Sequence, residues 1–207
     1  MSGVLEFLSP SGARDEGGFH PVARSATERL YRAAEATFAE RDGWLVPVAV
    51  PGEADHLSRV GIADLSHLRK LELRPAPPAD LGLDGVTTYR LSPRRALVLY
   101  PQTVAAQVEE SAAGAELVVD ASAAYTVLAL SGRDARALLA RLTHLHRFPS
   151  GGEVAHVAAH VLPAGGGFRI LVAQELGHYV GEVALDCAEA LGGGLVGVDA
   201  LPAEEQP

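Results

Sequence analysis

Thr126-Val-Leu-Ala-Leu-Ser131-Gly-Arg-Asp-Ala135-Arg-Ala-Leu-Leu139-Ala-Arg-Leu142 changes its hydrophobic period once, and that change decides the fold. Five apolar or β-branched residues in a row, Thr126 to Leu130, read as a buried strand, whereas Ala135, Leu138, Leu139 and Leu142 recur at i, i+3, i+4 and i+7. The spacing predicts a helix from Ser131 to about Thr143. Downstream, Glu153 to Leu162 and Phe168 to Ala173 read as strands. Glu175 to Leu191 reads as a helix with Leu176, Val180, Val183 and Cys187 on its buried face, and Leu195 to Asp199 as a last strand. The order is β-α-β-β-α-β, a split βαβ unit that lays two helices on one sheet.

Upstream the same arrangement is expected with one helix fewer. Arg69 to Leu73, Val86 to Leu91 and Arg95 to Tyr100 are strands, the last two separated by Ser-Pro-Arg as in a hairpin. Prolines 75, 77 and 78 make a loop where the first helix would stand, and Pro101 opens a helix that stops at Gly114. Ala63-Asp64-Leu65-Ser66 before the strand at Leu71 is repeated as Val119-Asp120-Ala121-Ser122 before the strand at Val127. The fold class is therefore α+β, two related ferredoxin-like βαββαβ halves packed together, at about 25–116 and 117–199. Ser25-Ala-Thr-Glu28 has the form of a capping box, which predicts a helix from Ser25 to Gly43 carrying Leu30, Ala34, Thr37 and Phe38 on one face. Trp44 to Val50 is extended, and Pro47 and Pro51 mark it as an edge or broken strand. Residues 1–24 read as a flexible leader and 200–207 as a tail.

Composition narrows the function. The 207 residues carry a net charge of −9 and are 48% hydrophobic, so a folded acidic domain is expected. The basic residues are sixteen arginines and the single Lys70, scattered among more numerous acids, and they form no stripe for a phosphate backbone; no nucleic-acid partner is expected. Asp120 interrupts the longest apolar stretch, Leu117 to Leu130, short of a membrane span. Cys187 is the only cysteine, so an intrachain disulfide is excluded, and the start lacks a secretory pattern; a cytoplasmic location is expected.

Gly43-Trp44-Leu-Val-Pro47 followed by Arg59-Val-Gly61-Ile-Ala-Asp64-Leu-Ser66-His67-Leu resembles the amino-terminal part of glycine-cleavage aminomethyltransferases and the folate-binding domains of dimethylglycine and sarcosine oxidases. Val118-Val-Asp120-Ala-Ser122 through Thr126 to Leu139, then Phe148-Pro-Ser-Gly151, resembles the gamma subunit of heterotetrameric sarcosine oxidase. The resemblance implies a folate-binding-type domain over residues 25–199 and places Asp64 at the family's catalytic aspartate. It also has departures. The family's pterin-holding glutamate, in Gly-Tyr-Thr-Gly-Glu, falls on Gly165 of Val161-Leu-Pro-Ala-Gly165-Gly-Gly167-Phe. The tyrosine after Gly-Trp-x-x-Pro is replaced near Val50, and neither the Gly/Asp-rich segment after the first Asp-x-Ser strand nor the carboxy-terminal barrel has a counterpart. A reduced pterin needs an acceptor for its buried N–H donors, so losing that glutamate weakens the folate reading.

Two functions follow. The first is a non-catalytic small subunit supporting a flavin- and folate-dependent complex that oxidises N-methyl amino acids. In it no cofactor is bound tightly by this chain, and the partners are larger flavoprotein subunits or further copies of itself. The second is a stand-alone tetrahydrofolate-binding aminomethyltransferase that uses Asp64, with Glu175 or Glu182 as a substitute carboxylate. A lone aspartate before a strand also serves as a turn residue bonding local amides, and both roles stay open here.

Other motifs are weaker. His144, His146, His156 and His160, the last two on one face of the expected 153–162 strand, lack a recognised metal spacing, and no metal is expected. Asp64, Ser66 and His67 have the residue types of a hydrolase triad without a Gly-x-Ser-x-Gly elbow. Gly192-Gly-Gly194-Leu-Val-Gly197 follows a helix and precedes a strand, the reverse of a dinucleotide fingerprint, and reads as a helix stop. Trp44 and Tyr179 are expected in the core.

Overall fold

The computed structural model describes residues 21–77, 81–203, 205 and 206. Among them are thirteen strands and five α-helices in an α-β-β-α stack. The four-stranded sheet contains β5 (Arg69–Arg74), β6 (Thr87–Ser92), β7 (Arg95–Tyr100) and β8 (Leu117–Asp120) in the order β6-β7-β5-β8, all antiparallel. This is a ferredoxin-like order. Among the described residues no helix stands between its first two strands, in keeping with the expected proline loop, and α3 (Ala105–Ala112), entered through a 3₁₀ turn at Gln102–Val104, packs on this sheet. Leu71, Leu73, Val98 and Val108 form the core beneath it. Pro78 lies outside the described residues.

The six-stranded sheet runs β10-β11-β12-β9-β4-β13, from β4 (Gly61–Asp64), β9 (Tyr125–Ser131), β10 (Ser150–Val154), β11 (Val157–Ala164), β12 (Gly167–Ala173) and β13 (Gly194–Leu195). Helices α4 (Ala135–Leu142) and α5 (Gly177–Glu189) cover one face, with Leu138, Leu139, Leu142, Val180 and Ala184 packed on Leu128, Leu130, Ile170 and Val172. The other face packs on the four-stranded sheet through Val127, Ala129, Leu171 and Leu97. β4 enters between β9 and β13, where an isolated βαββαβ unit would pair those two directly. Conversely β8 belongs to the first sheet. The sheets therefore do not part at residue 116, because each half lends a strand across that point.

The structure corrects several expectations. The helix from Ser25 ends at Ala33: α1 is Glu28–Ala33, Glu35 takes a left-handed φ of 55°, and β2 (Thr37–Arg41) follows. Gly43 is not a helix stop but half of an Asp42-Gly43 turn with φ of 53° and 79°, which closes the hairpin to β3 (Trp44–Ala49). β3 is the central strand of its sheet, between β2 and the two-residue β1 (Ala23–Arg24); β1 reaches only Trp44 and Leu45, so Pro47 needs no donor on that side. Ala23 and Arg24, expected in the leader, thus form a strand, and residues 1–20 lie outside the described ones. The expected strand 153–162 is two strands, since Ala155 and His156 turn the chain at φ of 48° and 65°. In the tail, Leu201 and Glu205 are buried, and Arg169 donates to the Glu205 carbonyl at 3.2 Å.

Helix α2 (Glu53–Arg59) was not anticipated. No helix among the described residues is long and apolar enough to cross a membrane.

Candidate functional site

Both Asp-x-Ser motifs sit where the chain leaves one sheet for the other, and both make the same bonds. After β4, the Ser66 amide donates to Asp64 Oδ1 at 2.8 Å, the Leu65 amide to the Val127 carbonyl at 2.8 Å, and the Val127 amide to Ser66 Oγ at 3.1 Å. After β8, the Ser122 amide donates to Asp120 Oδ1 at 2.8 Å, the Ala121 amide to the Lys70 carbonyl at 2.8 Å, and the Lys70 amide to Ser122 Oγ at 3.1 Å. Each aspartate closes an Asx turn, and each serine receives an amide of the neighbouring strand in the sheet that the chain is leaving.

Between the two turns lies Lys70, fully buried. Its ammonium donates to the carbonyls of Ser66 (2.8 Å), Leu68 (2.9 Å) and Ser122 (2.9 Å) and stands 5.9 Å from the Trp44 ring. Burial pushes its pKa down to about 7, against the opposing pull of Asp64 and Asp120. On β5 Lys70 and Glu72, which alternate with Leu71 and Leu73, are thus both buried, while Arg74 at the strand's end is exposed. Composition dismissed Lys70, yet a lone lysine inside a strand next to both repeats was the available signal.

Asp64 is 2% exposed, and its second oxygen accepts from the Thr27 hydroxyl. Thr27 is the N-cap residue of α1, but its hydroxyl goes to Asp64 and not to the helix amides, while Glu28 bonds Arg24 and Arg32 and not the cap. The expected capping box is therefore not formed. The crevice beside Asp64, lined by Ser25, Trp44, Pro47, Ser66 and His67, has a volume of ≈ 0 Å³. A ligand pocket needs several hundred cubic ångströms. Burial pushes His67 down to about 4, with Lys70 and Arg41 adding to the effect and Asp64 opposing it, so its imidazole is neutral; its Nδ1 is buried without a partner among the described residues. Ser66 Oγ is taken by the Val127 amide and lies 3.4 Å from Ser25 Oγ. Asp64, Ser66 and His67 are thus gathered in one place but not wired as a nucleophile and base.

The remaining candidates are dispersed. His144 and His146 are exposed after α4; His156, in the β10–β11 turn, faces Glu153 at 3.2 Å; His160, on β11, packs edge-on to Tyr89. Among the described residues no three His, Cys, Asp or Glu side chains are grouped to hold a metal. Glu175 is exposed, and Glu182 on α5 pairs with His178 at 3.3 Å. Gly192, at φ of 76°, ends the turn after α5, as its position suggested. Trp44 lies in the core between the sheets, whereas Tyr179 is 41% exposed, contrary to expectation.

No family model and no curated protein sequence matches the chain. Among solved structures it resembles the glycine cleavage system aminomethyltransferase T of Bartonella henselae. There the TM-score is 0.67 at 20% identity over 86% of this chain, which spans 60% of the length of that enzyme. It also resembles a chain of the heterotetrameric sarcosine oxidase of Corynebacterium sp. U-96, crystallised with pyrrole 2-carboxylate. That match has a TM-score of 0.59 at 17% identity over 83% of this chain and 97% of the other. The α+β architecture built around the two Asp-x-Ser turns is therefore the fold that this chain shares with an aminomethyltransferase and with a chain of a heterotetrameric sarcosine oxidase.

Proposed function

We propose that this chain is a non-catalytic small subunit, resembling sarcosine oxidase gamma, of a complex in which larger flavoprotein subunits oxidise an N-methyl amino acid and folate takes up the one-carbon unit. The observation that carries this reading is the state of Asp64. Both of its oxygens are occupied, by the Ser66 amide and the Thr27 hydroxyl, in a crevice without room for a substrate. A general base or amine-orienting carboxylate must reach the reacting group. Two further points support it: Gly165 stands where the resemblance requires the pterin-holding glutamate, and the matched sarcosine oxidase chain is covered almost completely, as a subunit of similar size would be.

The experiment is co-expression with the flavoprotein chains of such a complex, comparing wild type with Asp64→Asn. Asparagine keeps the acceptor for the Ser66 amide, so assembly and the turnover of sarcosine per assembled complex are expected to be unchanged. A collapse of turnover in a fully assembled variant overturns the proposal. So does micromolar binding of 5-formyltetrahydrofolate by the isolated chain that Asp64→Asn weakens, which is the signature of the stand-alone transferase.

A further inference from the structure

Across the six-stranded sheet the register lines up a row of side chains that is tall at both ends and flat in the middle. Glu153 of β10 faces Ala158 of β11, Ala173 of β12 faces Tyr125 of β9, and the Ala159–Val172 pairing sets Ala158 beside Ala173. The next row on the same face is Gly151, His160 and Leu171. The two rows line a cleft of ≈ 500 Å³, within the range of small-molecule sites, and it shares no residue with the crevice at Asp64. Strands about 4.8 Å apart put Glu153 and Tyr125 about 14 Å from each other at the backbone, with the two alanines as the floor between them. His160 and Leu171 form the long wall, and Tyr89 of β6 packs edge-on against the His160 ring with centroids 5.3 Å apart. Gly151 keeps the end of that wall low, since a Cβ there would stand 2.8 Å from His160 Nδ1. Ala158 and Glu153 are exposed, so the cleft opens to solvent along its other side.

The lining carries one carboxylate, that of Glu153, and among the described residues no lysine or arginine. His160 adds no positive charge at neutral pH, because burial and then the charge of Arg95 lower its pKa. Arg95 itself is committed to Glu72, from Nε at 3.0 Å and Nη2 at 2.7 Å. Glu153 meets His156 through Oε1 alone, at 3.2 Å, which leaves Oε2 for a second partner. Its strand is tied down from the helical side, where the Thr143 hydroxyl donates to the Glu153 carbonyl and the Ala155 amide to the Leu142 carbonyl. The cleft is thus apolar along its floor, aromatic at one end and acidic at the other. The chemistry that matches all three is a flat ring on a short cationic arm: the ring displaces water from the alanines and packs against tyrosine, and the ammonium pairs with the carboxylate.

We propose that this cleft binds a small arylalkyl ammonium ion, its ring on Ala158 and Ala173 beside Tyr125 and its ammonium at the Glu153 carboxylate. The site is independent of the subunit reading. The test is an amide-resonance titration of the ¹⁵N-labelled full chain with tryptamine, with indole as the ring alone and indole-3-acetate as the same ring with the opposite charge. Saturable shifts are expected at residues 151–153, 158–160 and 171–173 and at Tyr125. The Glu153 side chain is 70% exposed, and an exposed ion pair corresponds to about a three- to fivefold change in affinity. Tryptamine therefore binds that much more tightly than indole, and indole-3-acetate more weakly than either. Glu153→Gln brings the three ligands to about one affinity, and Glu153→Lys reverses their order. Ala158→Leu, which raises the floor at an exposed position, removes binding of all three, and the dispersion of each variant's spectrum reports that it is folded. Shifts centred elsewhere, indole-3-acetate binding as tightly as tryptamine, an order that Glu153→Lys leaves unchanged, binding unaffected by Ala158→Leu, or no shift at about 10 mM ligand each overturns the proposal.

Discussion

Replacing Asp64 by alanine separates a structural carboxylate from a chemical one. The substitution strips two acceptors in a fully enclosed place, leaving the Ser66 amide and the Thr27 hydroxyl unpaired. Bonds to a charged acceptor contribute about 1.5–3 kcal/mol each, and removing one member of a buried charged cluster costs about 3–5 kcal/mol once relief of carboxylate burial is included. The loss of its pull on Lys70 acts in the same direction, because the buried ammonium is left with Asp120 alone. We expect Asp64→Ala to lower stability by about 3–5 kcal/mol, which at about 2–4 °C per kcal/mol for a chain this long is a fall in Tm of about 6–20 °C. Asp64→Asn keeps one acceptor and should cost less than half of that. The assay is urea denaturation at pH 7 followed by tryptophan fluorescence, since Trp44 packs in the affected core. An alanine variant within about 1 kcal/mol of wild type would refute the reasoning, because stability lost that lightly would mean the fold does not depend on this carboxylate.

Four further outcomes follow from the same geometry. Lys70→Met strands the carbonyls of Ser66, Leu68 and Ser122 and should destabilise the chain by about 3–5 kcal/mol. Because the folded pKa of Lys70, about 7, lies below the unfolded value of 10.5, the unfolded chain alone holds that proton between them. Wild-type stability should therefore rise from pH 7 to 9 relative to Lys70→Met, and a constant difference in urea midpoint would count against it. His67, at about 4 when folded and 6.5 when unfolded, contributes about 3 kcal/mol that is lost as pH falls from 6.5 through 4, and His67→Gln should flatten that limb of an acid-unfolding curve. Ser66→Ala and Ser122→Ala each orphan one buried strand amide and should cost about 1–3 kcal/mol alike; a large asymmetry in denaturation midpoints would break the equivalence of the turns. Gly197→Ala would place a Cβ 2.1 Å from the Val48 carbonyl oxygen and should lower Tm by several degrees, detectable by calorimetry.

What was legible in the sequence was local. The order β5-β6-β7-α3, with prolines in place of a helix, and the helices α4 and α5 follow from period and punctuation that no distant contact overrides. The misreadings have tertiary causes. Residues 25–43 carry a helical spacing, but Thr37, Phe38 and the Asp42-Gly43 turn suit a hairpin, and Thr27's hydroxyl is drawn away to Asp64. Glu153 to Leu162 looks like one strand because the turn at Ala155 and His156 has no glycine or asparagine, and alanine seldom takes a left-handed φ. Lys70 could be named but not placed, since its three carbonyl partners come from loops brought together only when both sheets form. A cleft of ≈ 500 Å³ beside His160 is illegible for a similar reason: its hollowness depends on which small residues of four strands fall on one face, and that requires register.

The exchange of strands explains why the motif occurs twice. β4 leaves the six-stranded sheet for β5, and β8 leaves the four-stranded sheet for β9, so the chain crosses between the layers in opposite directions at two related points. Each crossing must turn a strand end inside the interface, where an unpaired amide cannot reach water. An aspartate that closes its own turn, followed two residues later by a serine that takes an amide of the neighbouring strand, meets that need with local atoms, and one ammonium between the crossings satisfies carbonyls of both turns. A carboxylate placed for chemistry would be needed once. Its repetition at Asp120, with the same 2.8 Å bond to the serine amide although the second oxygen there meets Arg69 and not a threonine, is what the pseudo-twofold of the scaffold demands, and it makes the architecture itself a sufficient cause for the turn at Asp64.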